Sequence, residues 1–379
     1  MNPERPSFNP ENPDLPGYNP EKSVEAPPKQ GVSPDSKEKK ELPPDVAESH
    51  RQLGEMIAEL KSHTNFERSR TENGREIITS PEGEKFTIRE IKDPFDPVVK
   101  PMHTLLRREF GKDEVEPLSW VRHAIKEGLY AYHVIEDERG EVVSMAVTQP
   151  LELEPDKTKG GDQPKEIMLA EWFIHTNPAS ANSRMMSKQL FASAGEYCLN
   201  KAQEEGAKFK GFMGEMVTDV EKFMNRFGHK RLYFEDVQGN IKEVPYYYGP
   251  SEFDTQTGAP GSEIGQEHLM VRLLDESPGM PVEEVLRIVT SAYREYVATP
   301  DDYDNPKAYE TAKAFTDNML AELRAALGEA KDGQVFFLSE RERRAKTAEL
   351  EAQGKKIEDM VTEDDKERLE AEEKEKKAK

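Results

Sequence analysis

Cysteine is almost missing from this chain: Cys198 is the only one in 379 residues. That excludes an internal disulfide and a cysteine-rich metal site, and it fits a reducing compartment. No apolar run approaches the roughly eighteen residues of a membrane-spanning helix, so no such span is expected. Positive charge is in deficit. The 53 Lys and Arg face 75 Asp and Glu, for a formal net charge of −22. A general nucleic-acid or anionic-membrane binder needs a basic surface, so both classes are set aside, local basic patches apart. The N-terminus, MNPERPSFNP, lacks the basic and apolar pattern of a secretion signal. The eight histidines are scattered without a His-x-x-x-His or His-Glu-x-x-His pair, and no zinc site is expected. There is no Gly-x-Ser-x-Gly elbow and no Gly-x-x-x-x-Gly-Lys loop. A soluble, cytoplasmic protein is expected.

What is present is unevenly spread. Only 35% of the chain is hydrophobic and 34% is charged. Met1–Pro44, with Asn-Pro-Glu at Asn2, Asn9 and Asn19, is too polar to offset its ordering entropy and is expected to be disordered. A short binding motif on Phe8 or Tyr18 is the sharper alternative. Asp45–His63 reads as a helix with Leu53, Met56, Ile57 and Leu60 on one face, either packed on the main domain or standing alone. The leader as a whole is taken as residues 1–74.

A domain is expected over 75–275. Two short β-rich runs flank Ser80–Gly83, and helices follow at Val98–Phe110 and Leu118–Glu127. Tyr130–Ile135 and Val142–Gln149 form a hairpin. Next come a strand at Ile167–Thr176, a helix at Ser183–Glu205 ended by Gly206, and a strand at Phe209–Met213. Asp219 is expected to cap a helix from Val220 to Phe227; strands at Arg231–Asp236 and His268–Leu274 close the set. A helical extension is read over 276–338, from Val282–Ala298 and Tyr309–Ala330. Residues 339–379 are a charged tail, a solvated or frayed helix rather than a coiled coil, since no a/d repeat is sustained.

Glu166–Gly206 is the stretch around which the rest is arranged: an apolar strand, a Pro-stopped turn and a long helix. A strand that runs into a helix N-terminus offers unpartnered amides and a positive dipole end to an anion. Ser180, Asn182, Ser183, Arg184 and Ser187 supply a polar cradle there, with Arg184 adding charge. Equally, Asn182 and Ser183 read as plain N-cap residues.

Over about Phe86–Asp275 the chain resembles the GNAT superfamily of acyl-CoA-dependent N-acyltransferases. The features that carry it are the hairpin followed by a strand ending in Thr176-Asn177-Pro178, the turn into a helix ending Glu204-Glu205-Gly206-Ala207, and Phe223-Met224-Asn225-Arg226-Phe227-Gly228-His229. The resemblance implies a mixed, mostly antiparallel twisted sheet flanked by helices. It implies a central strand that splays from its neighbour, and acetyl-CoA or another acyl-CoA as donor to an amine of unknown identity. It puts the pantetheine arm near Phe173, Ile174, His175 and Thr176, and the pyrophosphate near Ala181–Ser187.

Two departures stand out. The family's phosphate loop carries glycines, and here no glycine occurs between Gly161 and Gly195. Counted from Pro178, Arg184 and Met186 take the glycine positions; counted back from Gly206, Gln189 and Phe191 do. The family's tyrosine acid corresponds to Met224, which has no proton to give; Tyr233, Tyr246, Tyr247 and Tyr248 are the candidate substitutes. Glu171, an ionisable group in an apolar strand, is the candidate base. His175, four residues on, is expected on the same face. Their alternative readings are a capping or wet-edge carboxylate and a satisfied histidine. Glu215 and Asp219 line the acceptor cleft or serve as loop carboxylate and helix cap. The insert Val244–Gln266 and the region His103–Trp120 would shape specificity. Cys198 is expected to pack. The function expected is N-acyl transfer, or else a non-catalytic interaction module on the same fold.

Overall fold

The computed structural model describes residues 42–360 apart from 64, 72–74, 112–114, 158, 161–162, 178–181, 217, 247–252, 261–266, 298–299 and 301–302. The expected leader with Phe8 and Tyr18, Tyr247, Tyr248 and the last part of the charged tail lie outside the described residues.

The chain opens with α1 (Pro44–Ser62), β1 (Glu67–Arg70), β2 (Glu76–Thr79) and β3 (Lys85–Ile91). Helices α2 (Val99–Glu109) and α3 (Leu118–Glu127) lead to β4 (Ala131–Glu136), β5 (Val142–Glu152) and β6 (Glu166–Thr176). Then follow α4 (Ser183–Glu205), β7 (Lys208–Met216), α5 (Thr218–Asn225), β8 (Lys230–Glu235), β9 (Ile241–Glu243) and β10 (His268–Leu273). The rest is β11 (Gly279–Pro281), α6 (Val282–Val297), α7 (Pro306–Leu327), β12 (Gln334–Leu338), α8 (Glu340–Glu351) and β13 (Ile357–Glu358).

All the described strands join one open sheet, in the order β1-β2-β3-β4-β5-β6-β7-β10-β8-β12-β11, with β9 on β8 and β13 on β9. Neighbours are antiparallel except β6 with β7 and β9 with β13. The β6–β7 pair is parallel because a crossover helix, α4, joins its strands. The sheet also takes in strands on both sides of 75–275. Residues 276–338, read as helical, contribute β11 and β12 beside their two helices. These strands are three and five residues long, too short to show a period against the helical background.

Two faces follow from side-chain alternation. One face carries Ile167, Leu169, Phe209 and Phe212 under α1 and α4. The other carries Tyr132, Val134, Met145 and Val147 under α2 and α3, and Met168, Ala170 and Met213 under α6 and α7. Helix α4 is covered on two sides. Met186 and Leu190 meet Phe86 and Ile88 of the sheet, while Ala192, Cys198 and Ala202 lie in the cluster with Leu53, Met56 and Ile57 of α1. Burial pushes the Cys198 thiol well above its ordinary pKa, as a packing residue requires. Gly206 closes α4 in the left-handed conformation.

Helix α1 is docked. The backbone N–H of Phe209 donates to Ser49 Oγ at 3.1 Å, and His50 Nε2 lies 2.8 Å from the carbonyl of Ala207. Gly195 permits the close approach, since a Cβ there would come within 3.0 Å of Ile57 Cγ1. At the other end, α8 starts in a capping box made by Ser339 and Glu342, and Leu350 is its one buried side chain. Asp219, expected as a cap, lies inside the first turn of α5. No described helix is long and apolar enough to cross a membrane.

Gly195→Leu is expected to destabilise the protein by about 1–3 kcal/mol through overpacking against α1, measured as a shift in denaturant midpoint. A second expectation concerns His133. It is fully enclosed, with Nδ1 3.1 Å from Ser193 Oγ, and burial lowers its pKa from 6.5 to about 4. Its folded pKa lies below its unfolded one, so the unfolded chain binds the proton first. The stability is whole above pH 6.5 and is lost as pH falls toward 4, at up to about 1.4 kcal/mol per pH unit. Thermal melts between pH 7 and pH 4.5 should show a shallower decline in His133→Gln than in the native chain.

Candidate functional site

The β6–β7 ladder runs from Glu166–Lys208 to Glu171–Gly214 and stops there. Beyond it, β6 stays paired with β5 through Phe173–Val147, Ile174–Ala146, His175–Met145 and Thr176–Ser144. Strand β7 stays paired with β10 through Glu215–Leu269 and Met216–His268. Each strand is held by its outer neighbour, so the two part. The side of Phe173–Thr176 that faces β7 has no ladder partner among the described residues. This is the splay that the resemblance implied.

The parting coincides with a bulge. The β5–β6 register shifts between Val147 and Thr148, whose partners are Phe173 and Glu171, so Trp172 is the extra residue. A bulge moves every later side chain to the opposite face. Glu171 stays with Ile167 and Leu169 on the α4 face and lies 3.0 Å from His229 Nε2. His175 turns to the other face, where its Nδ1 sits 3.6 Å from Glu109 of α2. The expectation that Glu171 and His175 share a face is therefore corrected: period-two counting holds only through an unbroken pleat. Burial lowers the pKa of His175, against the opposing pull of Glu109.

On the α4 face a cavity of about 560 Å³ lies at the wide end of the gap. Thr176, Ser183, Arg184, Ser187 and Lys188 line one side; Asn225, Arg226, Gly228 and Arg272 line another. Met56, Glu59 and Leu60 of α1, with His63 just after its end, supply a further wall. The hydroxyls are already linked: Ser187 Oγ lies 3.0 Å from Thr176 Oγ1, which lies 2.6 Å from Ser144 Oγ. Arg272 donates to the carbonyl of Phe227 at 2.7 Å, and burial works against its charge, lowering its pKa. Positive charge from Arg184, Lys188, Arg226 and Arg272 beside a helix N-terminus suits a phosphate.

The cradle expected from the sequence is only partly assembled. Asn182 occupies the N-cap position but makes no side-chain cap; its amide donates to Glu84 Oε2 at 2.7 Å. Ser183, Arg184 and Ser187 do reach the cavity, and Ser180 lies outside the described residues. Phe173 is turned to the far face against Phe110, with ring centroids 5.0 Å apart, while Ile174 packs beside Phe191 of α4. Met224, at the family's tyrosine position, is buried with Phe191, Phe227 and Met270. Of the substitutes, Tyr233 is engaged far from the gap, donating to Asp359 and accepting from Arg343. Tyr246 donates to Glu215 on the other face of the sheet.

That other face collects aromatic rings and carboxylates. Trp172 Nε1 donates to Gln149 at 3.0 Å, and Gln149 donates to Glu295 at 2.7 Å. Glu295 is exposed along its length, yet its carboxylate end loses enough water for its pKa to be raised. Trp120 and Tyr130 rings lie 5.3 Å apart, and Tyr246 and Tyr293 rings 5.5 Å apart. Burial raises the pKa of Tyr130, with Glu116, Glu295 and Glu215 adding to it. Glu215 is the first β7 residue past the last β6–β7 rung, so it stands at the edge of the gap. Sequence order separates Trp120, Gln149, Glu215 and Glu295 widely, and no spacing rule would have joined them.

No protein-family model matches the sequence, and no curated protein matches it. Solved structures do match. Arabidopsis thaliana NAA60 in complex with a bisubstrate analogue is 10% identical over 49% of this chain and 99% of its own, with a TM-score of 0.33. An aminoglycoside acetyltransferase from an uncultured soil metagenomic sample, bound to trehalose, is 9% identical over 38% of this chain and 85% of its own, with a TM-score of 0.29. A predicted acetyltransferase with acetyl-CoA from Clostridium acetobutylicum is 14% identical over 38% and 88%, with a TM-score of 0.27. At such identities and TM-scores the likeness assigns neither a family nor a residue role. The architecture described above is an open, mostly antiparallel sheet flanked by helices, with a central parallel pair that splays.

Tyr246→Phe should leave Glu215 without this donor and cost about 1–2 kcal/mol, a loss typical of a hydrogen bond to a charged group at a partly exposed site. Chemical denaturation of the two proteins checks it.

Proposed function

We propose that the chain transfers an acyl group, acetyl in the simplest case, from acyl-CoA to an amine. The observation that carries this is the gap between β6 and β7 opening beside the basic cavity at the start of α4. A pyrophosphate held by Arg184, Lys188, Arg226 and Arg272 would leave an arm to run along Phe173–Thr176, whose main chain is paired on one edge only. Backbone amides there would polarise the thioester carbonyl. From Thr176 to the end of the gap at Glu171 is five residues of strand, about 16 Å.

The acceptor would approach from the opposite face. Rings with carboxylates among them suit an ammonium group, by cation–π attraction and by charge. In this reading Glu215, beside the gap and bonded to Tyr246, takes the proton that the attacking amine must lose. Glu171, the expected base, faces the donor side instead. The single enclosed cysteine suits a reducing, cytoplasmic setting.

A second reading, a non-catalytic module on the same fold, is favoured by the apolar Met224 at the tyrosine position and by Glu84, whose carboxylate engages Asn182 at the start of α4. Calorimetric titration with acetyl-CoA separates the readings from the first step. Arg184→Glu with Lys188→Glu should weaken binding by roughly a hundredfold, as expected for two charge-assisted contacts. Glu215→Gln should bind acetyl-CoA unchanged but release no CoA thiol in the presence of a polyamine and peptide panel. No heat from acetyl-CoA at millimolar concentration removes the donor reading. Binding without thiol release by the native chain across the panel leaves the non-catalytic one.

A further inference from the structure

We propose that His229, held by Glu171, is the proton donor to the departing CoA thiolate; this rests on the acyl-CoA reading above. The two side chains sit where β6 and β7 part. Glu171 is the last β6 residue paired to β7, and it points to the α4 face, the face of the basic cavity. His229 follows α5 directly, and its backbone N–H donates to the carbonyl of Met224. The adjoining cavity wall is built from Phe227, Gly228 and Arg272. Gly228 has no side chain to fill the space, and Arg272 lies across it.

Both side chains are 1% exposed. Nε2 of His229 and Oε2 of Glu171 approach to 3.0 Å, yet neither carboxylate oxygen and neither ring nitrogen makes a hydrogen bond of good geometry. A buried donor or acceptor without a well-aligned partner is costly, so either side chain would gain from a further polar atom at the gap. Phe191 of α4 and Phe212 of β7 flank the imidazole, with ring centroids 6.0 and 6.1 Å away. Glu171 faces the ring, and the Arg272 guanidinium of β10, which packs beside Gly228, feels Glu276, Glu59 and Glu171. Among the described residues the alternatives are already committed: Met224 has no proton, Tyr233 serves Asp359 and Arg343, and Tyr246 serves Glu215 on the far face.

The chemistry balances. The bound ammonium first gives one proton to water; the neutral amine nitrogen then bonds to the thioester carbonyl carbon and loses a second proton to Glu215. The carbon–sulfur bond breaks with its electron pair on sulfur. The imidazolium of His229 gives its Nδ1 proton to that sulfur and keeps Nε2–H toward the Glu171 carboxylate. Glu215 returns its proton to water and His229 regains one, so the products are the amide and the free thiol.

The test uses the full chain, acetyl-CoA and CoA, with His229→Gln and Glu171→Gln. Acetyl-CoA affinity is read by calorimetry, and the thiol of bound CoA is titrated by thiolate absorbance in the ultraviolet. In the native protein the bound thiol should ionise at least one pH unit below free CoA, as a neighbouring cation requires. In His229→Gln it should return to the free value with acetyl-CoA affinity within twofold. With an acceptor from the panel, the fall of kcat on the alkaline side should disappear in His229→Gln, and kcat should drop at least a hundredfold. Glu171→Gln, which keeps the shape and removes the charge, should show a smaller thiol shift than the native protein. An unchanged thiol titration in His229→Gln overturns the inference and leaves the donor reading standing. Failure of the native chain to bind acetyl-CoA removes both. If His229→Gln does not fold, a thiol shift in Glu171→Gln as large as the native one overturns the inference on its own.

Discussion

The candidate site depends on one loss of pairing. Strand β6 is held by β5 and strand β7 by β10, and after Glu171 and Gly214 the two have no further rung in common. The bulge at Trp172 lets β6 follow β5 away from β7, because the extra residue adds local twist and bend. The same bulge deals the side chains. Glu171 goes to the face of α4 and α5, while Trp172, Phe173 and His175 go to the face of α2, α3 and α6. A donor and an acceptor can then meet through the sheet without sharing a pocket.

Net charge is a poor guide to such a site. The chain carries −22, yet Arg184, Lys188, Arg226 and Arg272 come together beside one helix N-terminus. A ligand responds to the local field, which falls off over a Debye length of about 10 Å at moderate salt. In the proposed function this set of cations would offset the glycine-free turn in part, with side-chain charge standing where bare backbone would otherwise approach a phosphate. Helix α1 adds to the arrangement. It is docked through Ser49, His50 and the Gly195 contact, and it places Glu59, Leu60 and His63 on the cavity rim.

Much of the fold was legible in the residues. Helix α4 was read at Ser183–Glu205 and is found there, because its cap region, its apolar spacing and Gly206 all agree. The hairpin of β4 and β5 and the strand β6 were placed within a few residues. Strands β9, β11 and β13, two or three residues long, were not legible, since they exist only by pairing with neighbours already in the sheet. The site was legible in part. Ser183, Arg184, Ser187 and Thr176 reach the cavity as expected. His229 and Arg272 passed as members of a helix ending and a strand; nothing in their spacing marks them, although a histidine after Phe-Gly and an arginine within an apolar strand are signals in hindsight.

By itself the sequence determined the element types and the order β-α-α-β-β-β-α-β around the central strand. These follow from local propensity, hydrophobic period and chain connection, which are properties of neighbours in sequence. Only the tertiary structure decided which face each β6 side chain takes, where β6 leaves β7, and that Glu171 meets His229 rather than His175. A bulge is a mismatch between two strands, and a single strand cannot announce it.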